Sequence, residues 1–220
     1  MKNHQFVIVG LGRFGSSLGR ELIQLGHEVL GIDKCEEAVQ EMSDVLTYAV
    51  SADCTDEEAL RSLGARNFDC GVVAIGDDIQ ASILTTILLK DLGVKRVVAK
   101  AMSELHGRVL EKIGVDRVVY PERDMGIRVA HQLVSPNLLD YIELSKDYTI
   151  VELTVPKQMN GKSLKELNPR ARFGCSIVAI NKPSGIIIAP TATDTLMERD
   201  VMVVIGTNDQ IEQFEDAVIR

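Results

Sequence analysis

Residues 5–15 read QFVIVGLGRFG, a run that is apolar from Phe6 to Val9 and is then punctuated by glycines at 10, 12 and 15. A short unbroken apolar run ending in glycine is the signature of a strand buried on both faces. From Arg13 onward, RFGSSLGRELIQL repeats its apolar residues with helical spacing, so the glycines fill a strand-to-helix turn. In that setting each glycine has its own physical reason. Gly10 permits the tight turn, Gly12 lets backbone N–H groups approach a phosphate with no Cβ between them, and Gly15 lets the helix lie close against the sheet. A phosphate seated there would rest on the positive end of the helix.

Outward from this turn the same alternation continues. Apolar stretches EVLGID (28–33), TYAVSA (47–52), CGVVAIG (70–76), RVVAK (96–100) and DRVVYP (116–121) are separated by helix-period segments over 13–25, 36–44, 56–63, 79–89 and 103–113. Gly26, Gly64, Gly93 and Gly114 stand where several of those helices should end. Parallel neighbours require right-handed crossovers, so the pattern predicts an α/β, doubly wound parallel sheet of the Rossmann type.

Beyond Pro121 the spacing predicts a longer helix over 124–134, stopped by Ser135-Pro136, and a second short helix over 138–144. A domain boundary is expected there, giving domains 1–136 and 137–220. Downstream, strands are expected over 149–155, 175–181, 185–189 and 200–206, with a closing helix over 209–218, which makes a small α+β module. A module of this size buries a limited core, so packing against a second copy is expected.

Composition removes several functions. Acidic residues outnumber basic ones 32 to 24 for a net charge of −8, leaving no basic surface to displace counterions from a phosphate backbone, so nucleic acid is not an expected partner. The first apolar run stops at Gly10, too short for a signal peptide or a membrane span, and a cytoplasmic chain is expected. Cys35, Cys54, Cys70 and Cys175 show no metal-ligand spacing and read as small apolar fillers. His4, His27, His106 and His131 all precede the second module, and no GxSxG, HExxH or Walker lysine motif occurs. No catalytic constellation emerges, so a non-enzyme is expected, with an NAD-dependent oxidoreductase as the rival reading of the same glycine turn.

Within the nucleotide domain, Asp33 ends the second strand, where a carboxylate accepts from both ribose hydroxyls and repels a 2′-phosphate. Asp53 follows the third strand and serves either adenine or a helix cap. Arg13 is either a fixed cation for extra phosphate charge or a solvated first-turn residue. Lys100 and Glu122 lie at the carboxyl ends of strands, the edge at which such sheets bind ligands, where they could meet phosphate and a metal ion. Asp77-Asp78 reads as a helix cap and His27 as a turn residue.

The segments VIVGLGRFGSSLGREL, SADCTDEEALRSLGARNFD, VVAIGDDIQASILTTILLK, LEKIGVDRVVYPERDMG and VELTVPKQMNGKSLKELNPRARFGCSIVAI together resemble the RCK (regulator of potassium conductance) family. The likeness is strongest to the cytosolic gating subunits of Ktr-type potassium uptake systems. It implies an N-terminal RCK Rossmann domain, a helical crossover and a C-terminal RCK domain, assembled as a homo-octameric ring. The ring would lie beneath a membrane-embedded potassium-conducting subunit, at the inner face of the membrane. It also implies ATP and ADP, with NAD(H) as a further ligand, on Gly10, Gly12, Arg13, Phe14 and Gly15 for phosphate, Asp33 and its neighbour Lys34 for ribose, and Asp53, Cys54, Ile75 and Gly76 around the adenosine. Lys100 and Glu122 would fall near the terminal phosphates, Glu122 helping to hold Mg2+ or another divalent cation. In the second module the resemblance implies a cyclic di-AMP receptor at Arg170, Ser176, Ile177 and Pro190. There a guanidinium would fork onto phosphate and Ile177 would face a purine. The other reading makes these four the core and turn residues of a dimer interface.

Overall fold

Strand β1 (Gln5–Val9) sits at the centre of a six-stranded parallel sheet with β2 (Glu28–Asp33), β3 (Tyr48–Ser51), β4 (Cys70–Val73), β5 (Val97–Lys100) and β6 (Arg117–Val119), in the order β3-β2-β1-β4-β5-β6. We describe residues 3–135 and 137–218 of a computed structural model. The apolar runs are continuous because both faces are covered. Val7 and Val9 enter one buried cluster with Leu30, Ile32 and Val73, while Ile8 enters the opposite cluster with Val29, Val72 and Met42. The intervening helices are α1 (Arg13–Gln24), α2 (Glu36–Met42), α3 (Glu57–Ser62), α4 (Ile79–Asp91) and α5 (Glu104–Ile113). Strand order reverses between β1 and β4, and this switch point opens the crevice in which open α/β sheets bind ligands.

Two glycines fix the turn at that point. Gly10 has φ +97°, and a Cβ on Gly15 would lie 1.8 Å from the Gly10 carbonyl oxygen. The start of α1 therefore lies against the end of β1 at a distance only hydrogen allows.

Residues from Arg123 onward form the second compact unit, which takes in nearly all of α6 (Pro121–Val134). The sequence pattern grouped this helix with the first domain, up to 136. Its side chains bond forward instead: Arg128 donates to Asp140 at 2.6 Å and Gln132 to the Leu139 carbonyl at 2.6 Å.

The stretch 138–144, expected as a helix, is strand β7 (Leu138–Glu143), which forms an antiparallel hairpin with β8 (Tyr148–Thr154). Six residues with apolar side chains at 138, 139, 141 and 142 fit either period, and the hydrogen-bond ladder with β8 decides the matter. With β9 (Ser176–Lys182), β10 (Gly185–Ile188) and β11 (Val201–Thr207) they make a sheet of order β10-β9-β11-β8-β7. Helix α9 (Asn208–Val218) covers it, burying Phe214 against Leu153, Ile180 and Met202. Two short helices were not expected. α7 (Leu164–Leu167) is opened by a Ser163/Glu166 capping box, and α8 (Pro169–Phe173) has proline in its first turn. No helix among the described residues is long and apolar enough to cross a membrane.

Candidate nucleotide site

A cavity of about 500 Å³ opens over the carboxyl ends of β1, β2, β4 and β5. The structure brings to its walls Gly10, Gly12, Arg13, Phe14, Asp33, Lys34, Asp53, Cys54, Ile75, Gly76, Lys100 and Glu122, residues that lie up to 112 positions apart in sequence. Gly15 does not line it; it is buried beneath the turn. Gly12 caps α1 with no side chain accepting from the first turn, and a Cβ built there meets nothing within 4 Å. The protein thus leaves both the helix N–H groups and the space in front of them open, as an anion cradle requires.

Asp33 is half-buried and does more than face the cavity. One oxygen accepts the Leu11 amide N–H at 2.6 Å and the other accepts the Cys35 amide at 2.9 Å, tying the glycine turn to the β2–α2 turn. Each oxygen keeps a lone pair for a ribose hydroxyl.

Asp53 caps no helix. It accepts from the Thr55 hydroxyl at 2.7 Å and amide at 2.9 Å, and these bonds, with the Lys34 charge, hold its carboxyl below the usual range. The cap of α3 is Asp56 instead, and Asp78 caps α4, accepting from Ala81 at 2.9 Å. Thr85, which the sequence reading passed over, is fully buried in α4 and donates to the Cys54 carbonyl at 3.1 Å, pinning the loop that carries Asp53. Burial and then the Asp33 and Asp53 charges push the Cys54 thiol up to about 12, so it lines the cavity as a neutral group. Cys70 and Cys175 are likewise buried, but Cys35 is exposed at the cavity rim and is no core filler.

Lys100 Nζ meets Glu122 Oε1 at 2.6 Å, with the lysine side chain 8% exposed and the glutamate 61%. The lysine also lies 6.0 Å above the Phe14 ring. Its hydrogen bond, and more weakly the Arg13 guanidinium, hold the Glu122 carboxyl below the usual range. Three formal charges, two positive and one negative, thus gather on one wall. Among the described residues no three His, Cys, Asp or Glu side chains are grouped closely enough to hold a metal, so any divalent ion at Glu122 would draw its other ligands from phosphate and water.

In the second unit, Arg170 donates through Nε and Nη2 to the Ser176 hydroxyl at 3.2 and 3.1 Å. Ile177 points into the core rather than outward, while Pro190 is half-buried after β10, where the register of Ile188 opposite Ala179 leads toward Ile177. His131, expected to lie with the nucleotide domain, belongs to this unit and stacks on Tyr141.

Comparison with known proteins agrees with this architecture. The TrkA-N domain family matches residues 6–121 and the TrkA-C domain family residues 148–218. The chain is 46% identical over 216 residues to Ktr system potassium uptake protein A of Bacillus subtilis, covering 98% of this chain and 97% of that protein. It is 45% identical to Ktr system potassium uptake protein C of the same organism, covering 98% of each. Among solved structures, the GsuK channel bound to NAD superposes with a TM-score of 0.68 at 19% identity, over 99% of this chain but 40% of the channel chain, a likeness of fold.

Proposed function

Because the chain belongs to the TrkA family of potassium uptake proteins, joining one TrkA-N to one TrkA-C domain, we propose that it is the cytosolic regulatory subunit of a Ktr-type system. It binds an adenine nucleotide in the 500 Å³ cavity and, by telling ATP from ADP, sets the conductance of a membrane-embedded potassium-conducting partner. The observation that carries this reading is the Lys100–Glu122 pair beside Arg13 on the cavity wall. A ligand shifts an equilibrium only through contacts that differ between states. A γ-phosphate and its Mg2+ would compete with Lys100 for the Glu122 carboxylate and engage Arg13, whereas ADP would leave the pair closed. Assembly as a homo-octameric ring would sum these small differences over many sites. Arg170, held on the Ser176 hydroxyl, gives the second unit an exposed guanidinium of the kind that forks onto phosphate, which supports cyclic di-AMP as a second regulator.

The test is potassium flux in vesicles holding the membrane subunit and this protein, combined with calorimetric titration of ATP, ADP, NADH and cyclic di-AMP. Different fluxes with ATP and ADP are expected. Equal flux would overturn the switch, and tight binding of NADH alone would replace it with the oxidoreductase reading.

A further inference from the structure

The second unit contains a cavity of about 300 Å³ that shares no lining residue with the nucleotide cavity. Its walls come from α6, β7, β8 and α9, and its floor is apolar, with Leu138, Val151 and Ile211 all buried. In its lining His131 lies flat on Tyr141, ring centroids 4.3 Å apart and planes 7° from parallel. Glu212 and Glu215, also in the lining, stand three residues apart on α9 and therefore share a face.

Glu215 is the unusual member. It is only 8% exposed, accepts one hydrogen bond, from Ser135 Oγ at 2.7 Å, and makes no ion pair with any described residue. A carboxylate this far from water is costly unless a cation shares its site. The grouping of acidic and imidazole side chains among the described residues is too sparse for a metal ion, and the cavity is far larger than one ion and apolar over its floor. We propose that it binds a small organic cation, an amine or guanidine on an apolar stem. The charged head would lie against Glu215 and Glu212, and the stem over Leu138, Val151 and Ile211.

The experiment is calorimetric titration of agmatine into the full-length protein, repeated with E215Q and E212Q. Glutamine at 215 keeps an acceptor for Ser135 and nearly the same volume while removing the charge. Saturable binding is expected, weakened about tenfold by E215Q and several-fold by E212Q, with ADP binding unchanged in both variants as the sign that the fold is intact. Should E215Q fail to fold, E212Q carries the test from the exposed rim. The proposal is overturned if agmatine shows no saturable binding in the millimolar range, if the charge-neutral variants bind it as tightly, or if magnesium chloride displaces it mole for mole.

Discussion

Asp33 Oδ2 accepts the Leu11 amide N–H at 2.6 Å, so a carboxylate on the cavity wall also holds the glycine turn in shape. Removing it does two things at once. Asp33→Ala should cost about 2 kcal/mol of stability with no nucleotide present, because the Leu11 and Cys35 amides lose a charged acceptor. Asp33→Asn, with one acceptor oxygen left, should fall between. Urea unfolding without nucleotide measures this, and equal midpoints for parent and Asp33→Ala would show that the brace contributes nothing.

The glycines of the turn should separate folding from binding. Gly15→Ala puts a methyl 1.8 Å from the Gly10 carbonyl oxygen and should destabilise by about 3 kcal/mol or more. Gly12→Ala meets no protein atom within 4 Å and should leave the thermal midpoint nearly unchanged while weakening ADP binding about tenfold or more. Thermal melts and ADP titrations on both variants provide the check. Unchanged ADP affinity in Gly12→Ala would remove that position from the phosphate cradle.

Thiol chemistry should single out one cysteine. Cys35 is exposed and lines the cavity, whereas burial pushes Cys54 up to about 12 and Cys175 to about 11, and raises Cys70 as well. A disulfide-exchange reagent should modify Cys35 quickly, and the other three only at the rate of unfolding. ADP should slow the Cys35 reaction. If ADP does not protect it, the nucleotide does not reach that rim.

Acid should reveal Asp69. Its carboxyl is held at about 2 by the hydrogen bond from Lys95 at 2.7 Å and then by the Gln5 amide at 3.1 Å. A carboxylate with a depressed value adds stability that is complete above its unfolded value of about 3.9 and is lost as pH falls through the folded one. Asp69→Asn should therefore melt below the parent at neutral pH, and the two curves should converge as pH approaches about 2. A gap between the curves that does not close with acid would assign the effect to packing.

The first unit was legible because its physics is local. Each buried parallel strand must be apolar throughout, and each crossover helix must show its own period, so strand order and cavity edge follow from residues 5–121. The second unit was less so. Leu138–Glu143 carries a pattern that either period satisfies, and only its partner β8 makes it a strand. The S-x-x-E box at Ser163 and the proline at 169 are local start signals for α7 and α8, but helices of four and five residues are too short to show a period, and neither was expected. Thr85 was invisible for another reason: its hydrogen bond to Cys54 joins residues 31 apart, and nothing in the local sequence marks a buried threonine as a brace.

The order β10-β9-β11-β8-β7 has a bearing on biosynthesis. β11, the last of these five strands to leave the ribosome, is the one that joins β8 to β9, which share no ladder of their own. The parallel sheet of the first unit is complete once β6 has emerged, but the second sheet remains two separate hairpins until residues 201–207 are made. A nonsense codon or a protease cut just ahead of Val201 would therefore cost the second unit its central seam, leaving a nascent chain with a finished amino-terminal half and an unsealed carboxyl-terminal one for chaperones to hold.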